Sequence, residues 1–131
     1  MTAFVDASVL VAILAREADY LEQNDRLMSF DTPLWSPIAR WETISGIARA
    51  TKYGDAFSAE ITDAFAGENR FVMVPIGEAE ARIAGEAHRR YGKGRHEAKL
   101  NMGDCFAYAC AHTNNATLLY KGDDFARTDL G

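Results

Sequence analysis

The chain has 131 residues, 48% of them hydrophobic and 25% charged, a size and balance that fit one globular domain over 1–131 with a real core and exclude a disordered chain. Fourteen Lys and Arg against 19 Asp and Glu give a net charge of −5, which excludes a non-specific coater of nucleic acid, normally a basic protein. No stretch approaches the roughly 18 uninterrupted apolar residues of a membrane span, so no membrane is expected as a partner. The apolar opening MTAFVDASVLVAIL lacks a basic leader and carries Asp6 in its middle, and it reads as mature structure rather than a signal peptide.

In chain order, short apolar strands alternate with longer helical stretches, the pattern of a parallel sheet covered on both faces. Ala3 to Val5 is a first strand, followed by helices over Ser8 to Ala15 and Ala18 to Ser29. Asp31-Thr32-Pro33 is a turn signal, and Leu34-Trp35 a brief second strand. Ser36-Pro37 starts the next helix, with Ser36 as cap and Pro37 in the first turn, and Gly54 ends it after about Tyr53. Asp55 to Gly67 is helical, Phe71 to Val74 a third strand, and Glu78 to Tyr91 a helix. Gly92 to Arg95 is a loop, Gly103-Asp104 opens a helix reaching about His112, and Thr117 to Tyr120 is a last strand. The expected architecture is three-layer α/β/α, with a central parallel sheet of four to five short strands. Cys105 and Cys110 lie about 140° apart on a helix and would not pair; with no zinc spacing present, a reducing, cytoplasmic location is the expectation.

In such folds ligands bind beyond the carboxyl ends of the strands. Asp6 follows the first strand, and Asp123 and Asp124 follow the last. Asp104 sits in the first turn of its helix, where the dipole favours a carboxylate. On a 100° wheel Ile38, Trp41, Ile44 and Ala48 span the apolar arc of the helix after the second strand, and Glu42 falls at its edge. Taken singly, Asp6 and Asp104 are also good helix caps, Glu42 an ordinary exposed residue and Asp123-Asp124 an ordinary turn. Together they gather at one edge of the sheet, where two like charges about 4 Å apart repel by about 4 kcal/mol at an effective dielectric near 20. A divalent cation relieves that repulsion, and an oxygen-only donor set suits Mg²⁺, with Mn²⁺ as substitute, over zinc. Asp6 and Asp104 are the expected direct ligands, and the chemistry this supports is phosphodiester hydrolysis by a metal-activated water. Ser8, two residues past Asp6, is a supporting polar group for a carboxylate or phosphate.

The segments VDASVL around Asp6, WE at Glu42, GDCFAYACA around Asp104 and LLYKGDDF near the C-terminus resemble, in order and spacing, a PIN-domain ribonuclease, and in particular the VapC-type toxins of bacterial toxin–antitoxin pairs. The resemblance implies an Mg²⁺-dependent endoribonuclease with Asp6, Glu42, Asp104 and Asp123 as its acids, Asp124 being the alternative fourth. It also implies a cognate VapB-type antitoxin as inhibitor, and a homodimer.

Between His88 and Lys99 five cations (Arg89, Arg90, Lys93, Arg95 and Lys99) stand against Glu97 alone, a local charge of +4 suited to holding the RNA backbone by its phosphates. Tyr20, Leu21, Leu27 and Met28 are candidates either for the core or for a groove that takes an antitoxin segment. Two rival functions are a non-catalytic RNA- or protein-binding module and an Asp-nucleophile phosphatase. The phosphatase would need a DxD pattern after the first strand, and Ser8 stands where its second acid belongs.

Overall fold

The first strand, β1 (Thr2–Val5), buries Ala3, Phe4 and Val5 completely, so side chains on both of its faces are covered and neither is left to solvent. The computed structural model describes residues 1–94, 99–122 and 125–129. Among these, β1 is followed by α1 (Ala7–Leu14), α2 (Tyr20–Met28), β2 (Thr32–Trp35), α3 (Pro37–Ala50), α4 (Asp55–Glu68), β3 (Val72–Met73), α5 (Glu78–Tyr91), α6 (Met102–Thr113) and β4 (Thr117–Leu119). The four strands form one parallel sheet in the order β3-β2-β1-β4, flanked by six helices as the three-layer expectation requires. None of the described helices is long and apolar enough to cross a membrane.

Because the chain winds from β1 toward β2 on one side and returns as β4 on the other, the order reverses between β1 and β4. That reversal opens a crevice at the carboxyl ends of the two strands. The Asp6 backbone N–H extends the ladder by donating to the Leu119 carbonyl at 2.9 Å. Ser36 caps α3 as its sequence indicates, its Oγ accepting from the Ala39 N–H at 3.1 Å.

Two local readings are corrected. Thr32 and Pro33 belong to β2 rather than to a turn. Thr32 donates toward β1, to the Met1 carbonyl, so the ring nitrogen of Pro33 faces the other side, where β3 pairs only from Leu34 onward. The absent N–H therefore breaks no ladder bond. On α3 the buried residues are Ala39, Thr43, Gly46 and Ile47, and Trp41 is 64% exposed. Ala39 and Gly46 let α3 approach its neighbours closely beside the buried Ile47, and Ile38, Trp41 and Ile44 stand at the margins.

Cys105 and Cys110 are both buried and unpaired, and burial pushes each thiol up to about 11, which leaves them unreactive at neutral pH. Beyond β4, Phe125 is buried against Tyr120, ring centroids 5.0 Å apart. Asp129 accepts from the Tyr108 hydroxyl at 2.6 Å and from that of Tyr91 at 3.4 Å. The tail is thus tied back across α5 and α6.

Candidate active site

At the carboxyl edge of the sheet lies a cavity of about 620 Å³, lined among others by Asp6, Ser8, Glu42, Arg49, Asn101, Asp104 and Lys121. Three of the acids expected from the sequence are thereby brought to one space. The fourth position, Asp123 or Asp124, lies outside the described residues, as does Arg95.

Each acid is placed by a different device. Asp6 ends β1 and caps α1: its Oδ2 accepts from the Ser8 N–H at 3.0 Å and from the Ser8 hydroxyl at 2.6 Å. Ser8 Oγ in turn accepts from the Lys121 N–H at 3.0 Å, so this hydroxyl joins the end of β1 to the end of β4. Asp104 is the third residue of α6 and forms a reciprocal cap with Asn101. The Asn101 side chain accepts from the Asp104 N–H at 2.9 Å, and Asp104 Oδ2 accepts from the Asn101 N–H at 3.1 Å. Cap and site are one arrangement for both aspartates, because the hydrogen bonds that start each helix also orient the carboxyl plane toward the cavity.

Glu42 comes from the second turn of α3 and lies against the first turn of α6. A Cβ on Gly103 would stand 1.9 Å from Glu42 Oε2 and 2.3 Å from its Cδ, so only glycine lets the carboxyl group rest on this helix start. Burial first, then the negative charge of Asp6, pushes the Glu42 carboxyl up to about 7, with Arg49 drawing it partly back. Gly103→Ala is therefore expected to displace Glu42 and to lower activity by about tenfold or more, the scale of a misplaced catalytic group. Steady-state rates beside a thermal melt check this; an alanine variant with wild-type kcat would show that the carboxyl position does not matter.

Lys121 is the other cation placed at this rim by the end of β4. Its Nζ lies 2.7 Å from Glu17 Oε1 and 2.8 Å from Asp19 Oδ1. These bonds hold the lysine above its ordinary range and, through Lys121 and then Gln23, hold Asp19 below its own. Gly122 follows with φ of +96°, a left-handed turn that glycine makes without strain.

The sequence matches the PIN domain family over residues 3–130. The chain belongs to the PIN-domain family. Within it, a VapC ribonuclease of Rhizobium meliloti is 42% identical over 98% of this chain and 99% of its own length. Ribonuclease VapC30 of Mycobacterium tuberculosis is 34% identical over 96% and 94% respectively, so the PIN domain here is one of the VapC type. Among solved structures, the sarcin–ricin-loop-cleaving toxin VapC20 of Mycobacterium tuberculosis superposes with a TM-score of 0.75 at 16% identity, covering 95% of this chain and 92% of that one. VapBC2 of Rickettsia felis, bound to a promoter DNA fragment, gives 0.72 at 19% identity, covering 99% and 95%. At such identities these two likenesses speak for the fold.

Which groups of this PIN domain can hold a metal follows from the donors. Among the described residues no three acidic, His or Cys side chains converge tightly enough to encircle an ion. Mg²⁺ keeps several waters and takes one or two carboxylates directly, so Asp6 and Asp104, both oxygen donors at the mouth of one cavity, fit it. The Glu42 carboxyl is raised first by burial and second by the charge of Asp6, and a cation held by Asp6 would relieve the second of these.

Arg89, Arg90 and Lys93 of the cationic window lie elsewhere. Arg90 sits over the Tyr91 ring, 4.9 Å from its centroid, and lines a small separate cavity with Tyr108, His112 and Asp129. Lys93 lines a third cavity, between α5 and α6, and Arg89 is exposed at the end of α5. None of these three lines the acid cavity. Sequence reasoning missed Asn101, Gly103, Arg49 and Lys121. The Asn-x-x-Asp spacing of 101 and 104 carries a capping-box signal, and Arg49 stands seven residues, two turns, from Glu42 on the same side of α3.

Proposed function

We propose that this protein is the toxin of a type II toxin–antitoxin pair, an endoribonuclease that hydrolyses RNA phosphodiester bonds with a divalent metal ion, Mg²⁺ or its substitute Mn²⁺. The observation that carries this reading is the convergence of Asp6, Glu42 and Asp104 on one cavity at the sheet's crevice, in a chain whose relatives are VapC ribonucleases. Asp6 and Asp104, each carboxyl oriented by its cap, would hold the metal, which when bound would supply a lowered water pKa and charge to offset the leaving oxygen. Glu42, desolvated and with a proton affinity near neutrality, takes up the proton of the attacking water at an Oε atom. Asp123 is the fourth acid of this reading, with Asp124 as the alternative. Arg89, Arg90, Lys93 and Arg95 serve as outer contacts to the RNA backbone.

A VapB-type antitoxin is the expected partner, as in the solved toxin–antitoxin complexes of the fold, and the active form is a homodimer acting in the cytoplasm. An apolar groove of about 420 Å³ between α2 and α4, lined by Tyr20, Leu21, Tyr53, Phe57 and Phe65, suits an amphipathic segment of that antitoxin. Leu27 is buried in the core and does not take part.

Purified protein incubated with total RNA is expected to cut in Mg²⁺ or Mn²⁺, to stop with EDTA, and to resume when the metal is restored. Cleavage that persists in EDTA would overturn the metal-dependent reading. A protein that binds RNA but never cuts it would be the binding module considered from the sequence.

A further inference from the structure

With Ala39, Thr43, Gly46 and Ile47 turned inward, α3 leaves Trp41, Ser45 and Arg49, spaced four residues apart, as a ridge along its outer side. The ridge runs beside Glu42 and Gly46, which line the acid cavity. Trp41, Glu42, Ser45 and Arg49 together line a shallow depression of about 130 Å³. Trp41 is 64% exposed, so a large flat π-surface stands in water one residue from an acid of the site.

Arg49 gives the depression its charge. Its Nη1 donates to Ser45 Oγ at 2.9 Å, which turns the guanidinium back along the helix toward Glu42 and Trp41. Among the described residues no carboxylate lies within ion-pair distance of Arg49. Lys121, the other cation of the cavity lining, is by contrast committed to Glu17 and Asp19. Of the two described cations that line the cavity, Arg49 is thus the one held in no ion pair; its charge acts on Glu42 at longer range, and Trp41 lines the same depression.

We propose that Trp41 and Arg49 form a subsite for one nucleotide of single-stranded RNA adjoining the scissile bond. The indole stacks on the base and the guanidinium contacts the neighbouring phosphate. The inference rests on the ribonuclease reading above and adds to it the residues that seat the substrate. Because every base offers a π-face, such a platform supplies affinity and placement and little base selectivity. A flat apolar face beside an exposed cation, continuous with an acidic hydrolytic cavity, matches the alternation of base and phosphate along one strand.

Two measurements test it. In cleavage of a short single-stranded RNA, Trp41→Ala is expected to raise KM by about tenfold or more while kcat at saturation stays within about threefold. Trp41→Phe should recover most of that loss. Arg49→Ala should raise KM and flatten its dependence on salt. Independently of cleavage, RNA added to wild type should quench the fluorescence of the exposed Trp41 and leave that of Trp35, 5% exposed, so the quench disappears in Trp41→Phe. A wild type that cuts RNA without quenching, or a Trp41→Ala variant with KM within twofold of wild type, overturns the subsite. So does a change of oligomeric state in Trp41→Ala by light scattering, which would assign the indole to contact with a second copy. A wild type that is quenched but does not cut keeps the subsite and overturns the ribonuclease reading instead.

Discussion

Asp6→Asn is expected to reduce RNA cleavage by at least about 100-fold, the scale on which loss of one preorganised electrostatic group at a reacting centre is felt, and to leave the fold intact. The substitution is well matched to the structure. Asn is as good an N-cap as Asp, so its side-chain oxygen can still accept from the Ser8 N–H, now 3.0 Å from Oδ2. What is lost is the charge, and with it one of the two carboxylates proposed to hold the metal. Asp6 is also the second cause of the raised Glu42 carboxyl, so in the variant Glu42 should titrate below its wild-type value of about 7. Rates in saturating Mg²⁺, circular dichroism and a carboxyl titration followed by NMR check the three statements together. A folded Asp6→Asn protein that cuts at more than about a tenth of the wild-type rate would remove Asp6 from the catalytic set.

Glu42→Gln is expected to work in opposite directions on activity and stability. The Glu42 carboxyl rises from 4.5 to about 7 on folding, so the folded state binds its proton more tightly than the unfolded state does. The associated stability is therefore fully present below pH 4.5 and is lost as the pH rises through about 7. At 1.36 kcal/mol per pH unit the loss has a ceiling of roughly 3 kcal/mol, and residual solvent access reduces it to about 1–2 kcal/mol. In EDTA the melting temperature of Glu42→Gln should accordingly exceed that of wild type by several degrees at pH 8 and match it near pH 4, while cleavage is lost. Mg²⁺ should then stabilise wild type more than the variant. Melting curves for the two proteins that stay parallel from pH 4 to pH 8 would show that Glu42 is not held in a desolvated, repulsive position.

The alternation of strands and helices, and the acids just after the strand ends, were legible in the sequence because hydrophobic period and connection direction are local properties. Helix α5 runs from Glu78 to Tyr91 as its pattern and flanking glycines indicate. What was not legible depends on partners distant in the chain. Pro33 reads as a turn residue until it is known that β3 begins to pair beyond it. The wheel of α3 misplaced Trp41 because hydrophobicity was taken as the guide to burial. The contact surface is built instead from Ala39 and Gly46, whose value is their lack of bulk, and a Cβ on Gly46 would stand 2.7 Å from Val11 Cγ2. Gly103 likewise reads as a helix-start residue, and its role appears only when the Glu42 carboxyl is seen resting on it. The cationic window is visible in composition, and of its described members Arg90 and Lys93 line other cavities, whereas Arg49 and Lys121, isolated in sequence, are the described cations that line the acid cavity.

The hydroxyl of Ser8 and the backbone N–H of Lys121 meet across 113 residues of sequence, and β1 lies directly against β4. The strand that carries Asp6 is therefore made early in synthesis, and the strand that closes the crevice beside it is made late. Pairing at such separation must wait for the intervening chain, so the cavity cannot be completed on a nascent chain that stops short of β4. Under the toxin reading, cleavage of RNA waits until β4 has docked, and chains cut off before Leu119 should be harmless as well as unfolded at this edge.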